Sequence, residues 1–129
     1  ILVADTLRGT VQAFRPDGTY VRETPIANDG GAARPIGVLR LADGGLLVVD
    51  AGDSQGLRSV GVDGALRALP TRTIARVREP LAVAADRRGR VYVLDQGGER
   101  VVRLGSDLDY DDVVVDLEEH VDDTPRHRS

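Results

Sequence analysis

Three aspartates recur at a fixed interval: ILVAD ends at Asp5, LLVVD at Asp50 and VYVLD at Asp95, 45 residues apart each time. Carboxylates repeated in this way have two chemistries open to them. They can supply hard oxygen ligands or charge to a site shared between repeats. Alternatively, each can accept hydrogen bonds from backbone amides two residues on and hold its own turn. Recurrence at equivalent positions is what a structural device produces, so the turn role is expected. Other polar side chains follow the aspartates, and Asp5, Arg8, Asp50, Asp53, Asp95, Glu99 and Arg100 make up the candidate binding face.

A second acidic series, Asp107, Asp109, Asp111 and Glu118, matches positions 1, 3, 5 and 12 of a helix-loop-helix calcium loop. Its sixth position is Asp112, where the sharp turn calls for Gly, and DVVVDL (112–117) reads as a strand. An acidic hairpin is the expectation; calcium at these four residues is the alternative, and no other cofactor is implied. His120 and His127 lie in a polar terminus, which offers neither converging ligands nor a fixed second shell. Arginines cluster at 72–78 and 87–90, but RNA recognition favours stacking platforms, and the aromatics are only Phe14, Tyr20, Tyr92 and Tyr110. Phe14 and Tyr92 fall inside apolar runs and are expected in the core. No P-loop, dinucleotide fingerprint or nucleophile elbow occurs, and no complete catalytic set is visible.

The elements that position these residues share the same period. RPIGVLRLADGG opens at Pro35 and EPLAVAADRRGR at Pro80, again 45 apart. After each repeated Asp come a polar turn and a second apolar run, at 10–14, 57–60 and 100–104. Asp17–Gly18 and Asp63–Gly64 then mark hairpins, with Asp107–Leu108 in the third copy's place. The sequence therefore predicts strands near 1–4, 10–14, 20–23, 36–41, 46–49, 57–60, 65–69, 81–85, 91–94, 100–104 and 112–117. The runs ending at Asp50 and Asp95 are apolar throughout, which requires cover on both faces of the sheet. Four short strands per 40–45 residues, packed on both sides, describe the blade of a β-propeller. The fold class is all-β, with four-stranded antiparallel meanders in an incomplete ring.

The pattern P-x-G-V/A, G-x-(L/V)-(Y/L)-V-x-D, R-V-x-x-(F/L), D-G resembles the NHL repeat, and PLAVAADRRGRVYVLDQGGERVVRL (80–104) is its closest copy. Thr10 stands where that pattern has Arg, and Asp53 and Gly98 where it often has Asn. The resemblance implies six-bladed rings and divides the chain into a partial blade at 1–24, blades at 35–69 and 80–117, and a polar tail at 122–129. Blade-like structure would extend over 1–121. Lactonase and lyase propellers share this rhythm, and some NHL propellers bind RNA on a basic face.

In such a meander the turns after the first and third strands share one face, and the remaining connections share the other. The first set is short and uniform. The second, including 24–34 and 70–79, is longer and varied, as binding loops on a rigid scaffold are. The expected function is a non-enzymatic binding or protein-interaction scaffold, taking a protein or small ligand on the loop face. A piece of a metal-dependent propeller hydrolase or lyase is the alternative, and Asn28 as the only Asn weighs against it. An RNA-binding propeller is the third reading.

The 129 residues suit one domain. They include no cysteine, so disulfides and thiolate chemistry are excluded and the redox compartment is undetermined. All 17 basic residues are Arg, and the net charge of −4 does not suit a general nucleic-acid or anionic-membrane binder. No apolar run approaches the roughly 20 residues of a membrane span. The chain starts in mid-element at ILVAD and reads as a piece of a longer protein. Uncovered apolar faces on its terminal blades predict self-association.

Overall fold

The computed structural model describes residues 1–26, 33–52, 56–96 and 99–116. Val- and Leu-rich runs bounded by Asp and Gly turns form eleven strands among these residues. They are β1 (Leu2–Asp5), β2 (Thr10–Phe14), β3 (Tyr20–Pro25), β4 (Pro35–Arg40), β5 (Leu46–Asp50) and β6 (Gly56–Val60), then β7 (Leu66–Arg67), β8 (Pro80–Ala85), β9 (Val91–Asp95), β10 (Arg100–Leu104) and β11 (Tyr110–Asp116). They build three antiparallel sheets in sequence order: β1-β2-β3, β4-β5-β6-β7 and β8-β9-β10-β11. We call these blades 1, 2 and 3.

The hairpins repeat one device. Gly18, Gly64 and Leu108 each donate an amide to the carbonyl three residues back, at 2.9, 2.9 and 2.8 Å. All three hold a left-handed conformation, with φ of 90°, 84° and 69°. Leu108 adopts it although it has a side chain to accommodate, and that side chain is buried in the core. Asp17, Asp63 and Asp107 each accept the amide two residues on at 2.9–3.0 Å, so the short turns are closed by carboxylates.

Alternation along β5 divides the core into two interfaces. Leu46 and Val48 pack with Val11, Ile26 and Val60 between blades 1 and 2. Leu47 and Val49 pack with Leu57, Val91, Val93, Val102 and Leu104 between blades 2 and 3. Every residue of β5 is buried, whereas β9 alternates, with Val91 and Val93 buried and Tyr92 and Leu94 half-buried. The inner strand β4 lies against both β1 and β8.

Three expectations need correction. Phe14 and Tyr92 are half-buried, not core, because each points off the outer face of a terminal blade. The strand expected at 65–69 is reduced to β7, which pairs only as Ser59↔Arg67 and Val60↔Leu66. The segment 70–79 is more than a loop on one face: Pro70 turns the chain out of the sheet into a short helix, α1 (Thr71–Arg76). Thr73 is buried and donates through Oγ1 to the Leu108 carbonyl at 2.6 Å, beside the β10–β11 turn. At the other end, the Arg76 carbonyl accepts from Arg100 at 2.6 Å, beside the opposite end of blade 3. The connection thus runs between the two faces along blade 3.

Candidate binding face

Asp50 and Asp95 end the second strands of blades 2 and 3, and both are almost wholly buried. Pairing fixes their backbones opposite Gly56 and Arg100 and directs their carboxylates toward the incoming interblade connection. Asp50 accepts the amides of Arg34 and Gly52, both at 2.8 Å. Asp95 accepts the Glu79 amide at 2.8 Å and the Arg78 amide at 3.2–3.3 Å. A second bond repeats alongside: Ala51 donates to the Arg34 carbonyl at 2.9 Å and Gln96 to the Glu79 carbonyl at 3.0 Å. Residues 34 and 79 are themselves one period apart. Each aspartate is a clamp that ties the connection entering a blade to the end of that blade's second strand.

An arginine guards each clamp. Arg58 lies 3.6 Å from Asp50 and Arg100 lies 3.9 Å from Asp95. The second separation gives charge compensation without a hydrogen bond. Asp5 is different: its carboxylate is part-exposed, 3.7 Å from Arg8, and among the described residues the amide it accepts is that of Arg8, at a long 3.4 Å. Arg8 also reaches Glu23 at 3.7 Å. Glu99 is exposed with φ of 50° and donates its amide to the Gln96 carbonyl at 3.1 Å. Asp53 lies outside the described residues.

The expected face therefore separates into two populations. The repeated carboxylates of blades 2 and 3 are buried and accept two backbone amides each, while Arg8, Arg34, Arg78, Glu79 and Glu99 are exposed. Leu7, in the turn between β1 and β2, is 98% exposed on the same face. Sequence reading missed Leu7 and the amides of Arg34, Arg78 and Glu79. The only signal for the amides was their place just before the repeated Pro35 and Pro80.

The acidic hairpin forms as expected. Asp107 holds the turn, Asp109 lies 3.9 Å from Arg72, and Asp111 accepts from Arg103 at 2.6 Å. Glu118, His120, His127, Asn28 and Gly98 lie outside the described residues. Among the described residues, no three His, Asp or Glu side chains converge to hold a metal ion. The arginine cluster at 72–78 closes on the neighbouring aromatic: Arg72 and Arg76 lie over the Tyr110 ring at 5.9 and 4.9 Å.

Charge on the opposite face is tied down in turns. Burial acts to raise the Asp86 pKa, but hydrogen bonds outweigh it. Tyr92 Oη donates at 2.9 Å, Arg90 Nε at 2.7 Å, and the Arg88 and Arg90 amides at 2.9 and 3.0 Å, holding the carboxyl down at about 2. Asp43 is lowered by its 2.6 Å bond from Arg67 and by the Gly45 amide. Arg103 is raised by Asp111. None of these groups is placed as a proton donor or acceptor near neutral pH.

Three adjoining meanders that share apolar flanks, with inner strands side by side, define an incomplete β-propeller. Known structures agree on the fold. A streptogramin B lyase structure superposes with a TM-score of 0.58 at 16% identity, over 87% of this chain and 36% of that one. A protein of unknown function from Bacteroides caccae gives 0.50 at 18% identity, over 88% of this chain and 41% of that one. The chain spans well under half the length of either. No family model matches it, and neither does any curated protein sequence. Among the described residues, no helix is long and apolar enough to cross a membrane.

Proposed function

We propose that this chain is a non-enzymatic binding module of NHL-type propeller blades, which recognises a protein or small ligand on the face bearing the β1–β2 and β9–β10 turns. The observation that carries this reading is the burial of Asp50 and Asp95 with two backbone amides bonded to each. A buried carboxylate that accepts backbone amides serves the fold and is poorly placed to take a substrate proton or a metal. What remains for solvent is Leu7 flanked by Arg8, together with Arg34, Arg78, Glu79 and Glu99. These side chains lie on the turns and connections that the sheets carry, where recognition residues belong.

A lyase reading has one supporting observation, the fold shared with streptogramin B lyase, and fold alone does not carry activity. Turnover separates the two. The purified chain, supplied with calcium or magnesium, is incubated with streptogramin B and with simple lactones. The binding reading expects no substrate loss above the protein-free control. Turnover that vanishes in Asp50→Asn or Asp95→Asn, with the melting transition retained, makes those aspartates site residues and overturns the reading.

A further inference from the structure

On the face opposite the clamps, a groove of about 420 Å³ runs between the β4–β5 hairpin of blade 2 and the β8–β9 hairpin of blade 3. Both walls lie within this chain. Leu39 and Leu41, packed on the core between these blades, form its apolar side. Arg40 lines it from blade 2, Arg87 and Arg88 from blade 3, and all three are exposed. Among the described residues, none of these three guanidinium groups has a carboxylate partner. Asp86, in the same lining, is already held by Arg90 and Tyr92.

The two hairpins show that the turn itself does not call for arginines. One period earlier, Ala42 and Asp43 stand where blade 3 has Arg87 and Arg88. The backbone closure is the same in both. Leu41 donates to the Gly45 carbonyl and Gly44 to that of Leu41, as Asp86 does to Arg90 and Gly89 to Asp86, at 2.8–3.1 Å. In blade 2 the carboxylate that steadies the turn is Asp43, which accepts the Gly45 amide. In blade 3 that task has moved to Asp86, which accepts the Arg88 and Arg90 amides. The side chains at 87 and 88 are thereby released from the turn, and both are cations. Like charges on adjacent residues repel, and an anion between the walls would relieve them.

We infer that this groove binds a small phosphomonoester, its phosphate held by Arg87 and Arg88 with Arg40 on the facing wall, and its apolar body against Leu39 and Leu41. Charge complementarity names the phosphate. Guanidinium forks match phosphate oxygens two at a time, and a group close to doubly charged at neutral pH balances more of the three cations than a carboxylate does. The volume suits a small molecule, since such pockets run about 300–1,000 Å³. The groove lies on the face opposite the proposed binding surface and does not depend on that reading.

Isothermal titration calorimetry with phenyl phosphate, in phosphate-free buffer of low ionic strength, tests it. The chain should bind phenyl phosphate more tightly than inorganic phosphate, which lacks the apolar body, and more tightly than benzoate, which carries less charge. The double variant Arg87→Ala/Arg88→Asp gives blade 3 the turn residues of blade 2 and keeps Asp86, so its melt should be unchanged. Its affinity should fall by about tenfold or more, the effect of losing one charged hydrogen bond. Arg88→Ala takes its place should the double variant lose its melt. Arg15→Ala, at an exposed position between β2 and β3, removes the same charge elsewhere and should bind as the parent does. A short phosphotyrosine peptide presents the same group and should bind no more tightly than phenyl phosphate. No binding of phenyl phosphate overturns the inference, as does an equal weakening in Arg15→Ala, which would make the attraction a property of overall charge. Preference for inorganic phosphate or benzoate overturns the ligand class, and preference for the peptide overturns the small molecule.

Discussion

Asp95 shows how one side chain does several jobs for the backbone. Its carboxylate accepts the Glu79 and Arg78 amides while buried, so Asp95→Ala takes the partner away from two part-buried donors. An unmade buried hydrogen bond costs about 1–3 kcal/mol. The expected result is a drop of that size in unfolding free energy, read from the urea midpoint, with Asp50→Ala behaving alike. Asp5→Ala should fall below that range, since Asp5 is part-exposed and holds only the long Arg8 contact. Equal losses in all three would contradict the clamp.

Asp86 makes a residue-scale prediction about pH. Its folded pKa is about 2, below the roughly 3.9 of an unfolded Asp. A depressed carboxyl stabilises the fold above the unfolded value, and that stabilisation is lost as pH falls through the folded one. Tyr92→Phe removes the Tyr92 hydroxyl bond and raises the folded pKa toward the unfolded value. The variant should lose less stability than the parent between about pH 4 and pH 2, and the two should converge at the acid end. Parallel acid titrations of the melting temperature would show the hydroxyl to be irrelevant if the two curves ran a constant distance apart.

At the scale of elements, α1 is too short to be helical on its own, since isolated helices under about 12–15 residues are marginal. Its place is held by Thr73, whose buried hydroxyl donates to Leu108. Thr73→Val keeps the shape and leaves that carbonyl unpaired, so amides of 71–77 should exchange faster while those of β5 and β6 hold their protection. The partner turn carries its own tension, because Leu108 sits at φ 69° where the equivalent positions have Gly. Leu108→Gly relieves roughly 1–2 kcal/mol of left-handed cost but gives up a buried Leu worth about 2–5 kcal/mol. A net loss of stability is expected in chemical denaturation; a gain would mean that backbone strain outweighs packing at this turn.

At the scale of the three blades, the middle one fills an apolar interface on each of its flanks. Leu47 fills the interface between blades 2 and 3 and is fully buried, so Leu47→Ala should cost about 2–5 kcal/mol at any protein concentration. Leu94 points to the uncovered flank of blade 3 and is only half-buried. Leu94→Ala should cost less than Leu47→Ala, because a half-buried side chain leaves a smaller cavity behind. Equal losses for the two variants in urea denaturation would show Leu94 to be packed as closely as Leu47.

Local pattern by itself determined the repeat. A period of 45, apolar runs of strand length and Asp-Gly punctuation specify eleven strands and their antiparallel partners, because strand and turn preferences are written within a few residues of where they act. The turn role expected of the repeated aspartates is seen at Asp50, which accepts the Gly52 amide; the clamp that Asp50 and Asp95 form was not legible, since Arg34, Arg78 and Glu79 arrive from 16–17 residues away. Tertiary structure alone decided that Phe14 and Tyr92 stay half-buried, because the cover on a blade depends on whether another blade stands beside it. It also decided the path of 70–79. Pro70 and the bond from Thr73 to Leu108, 35 residues on, accompany a fourth strand of blade 2 cut down to Leu66–Arg67, and no local pattern records a contact made at that distance.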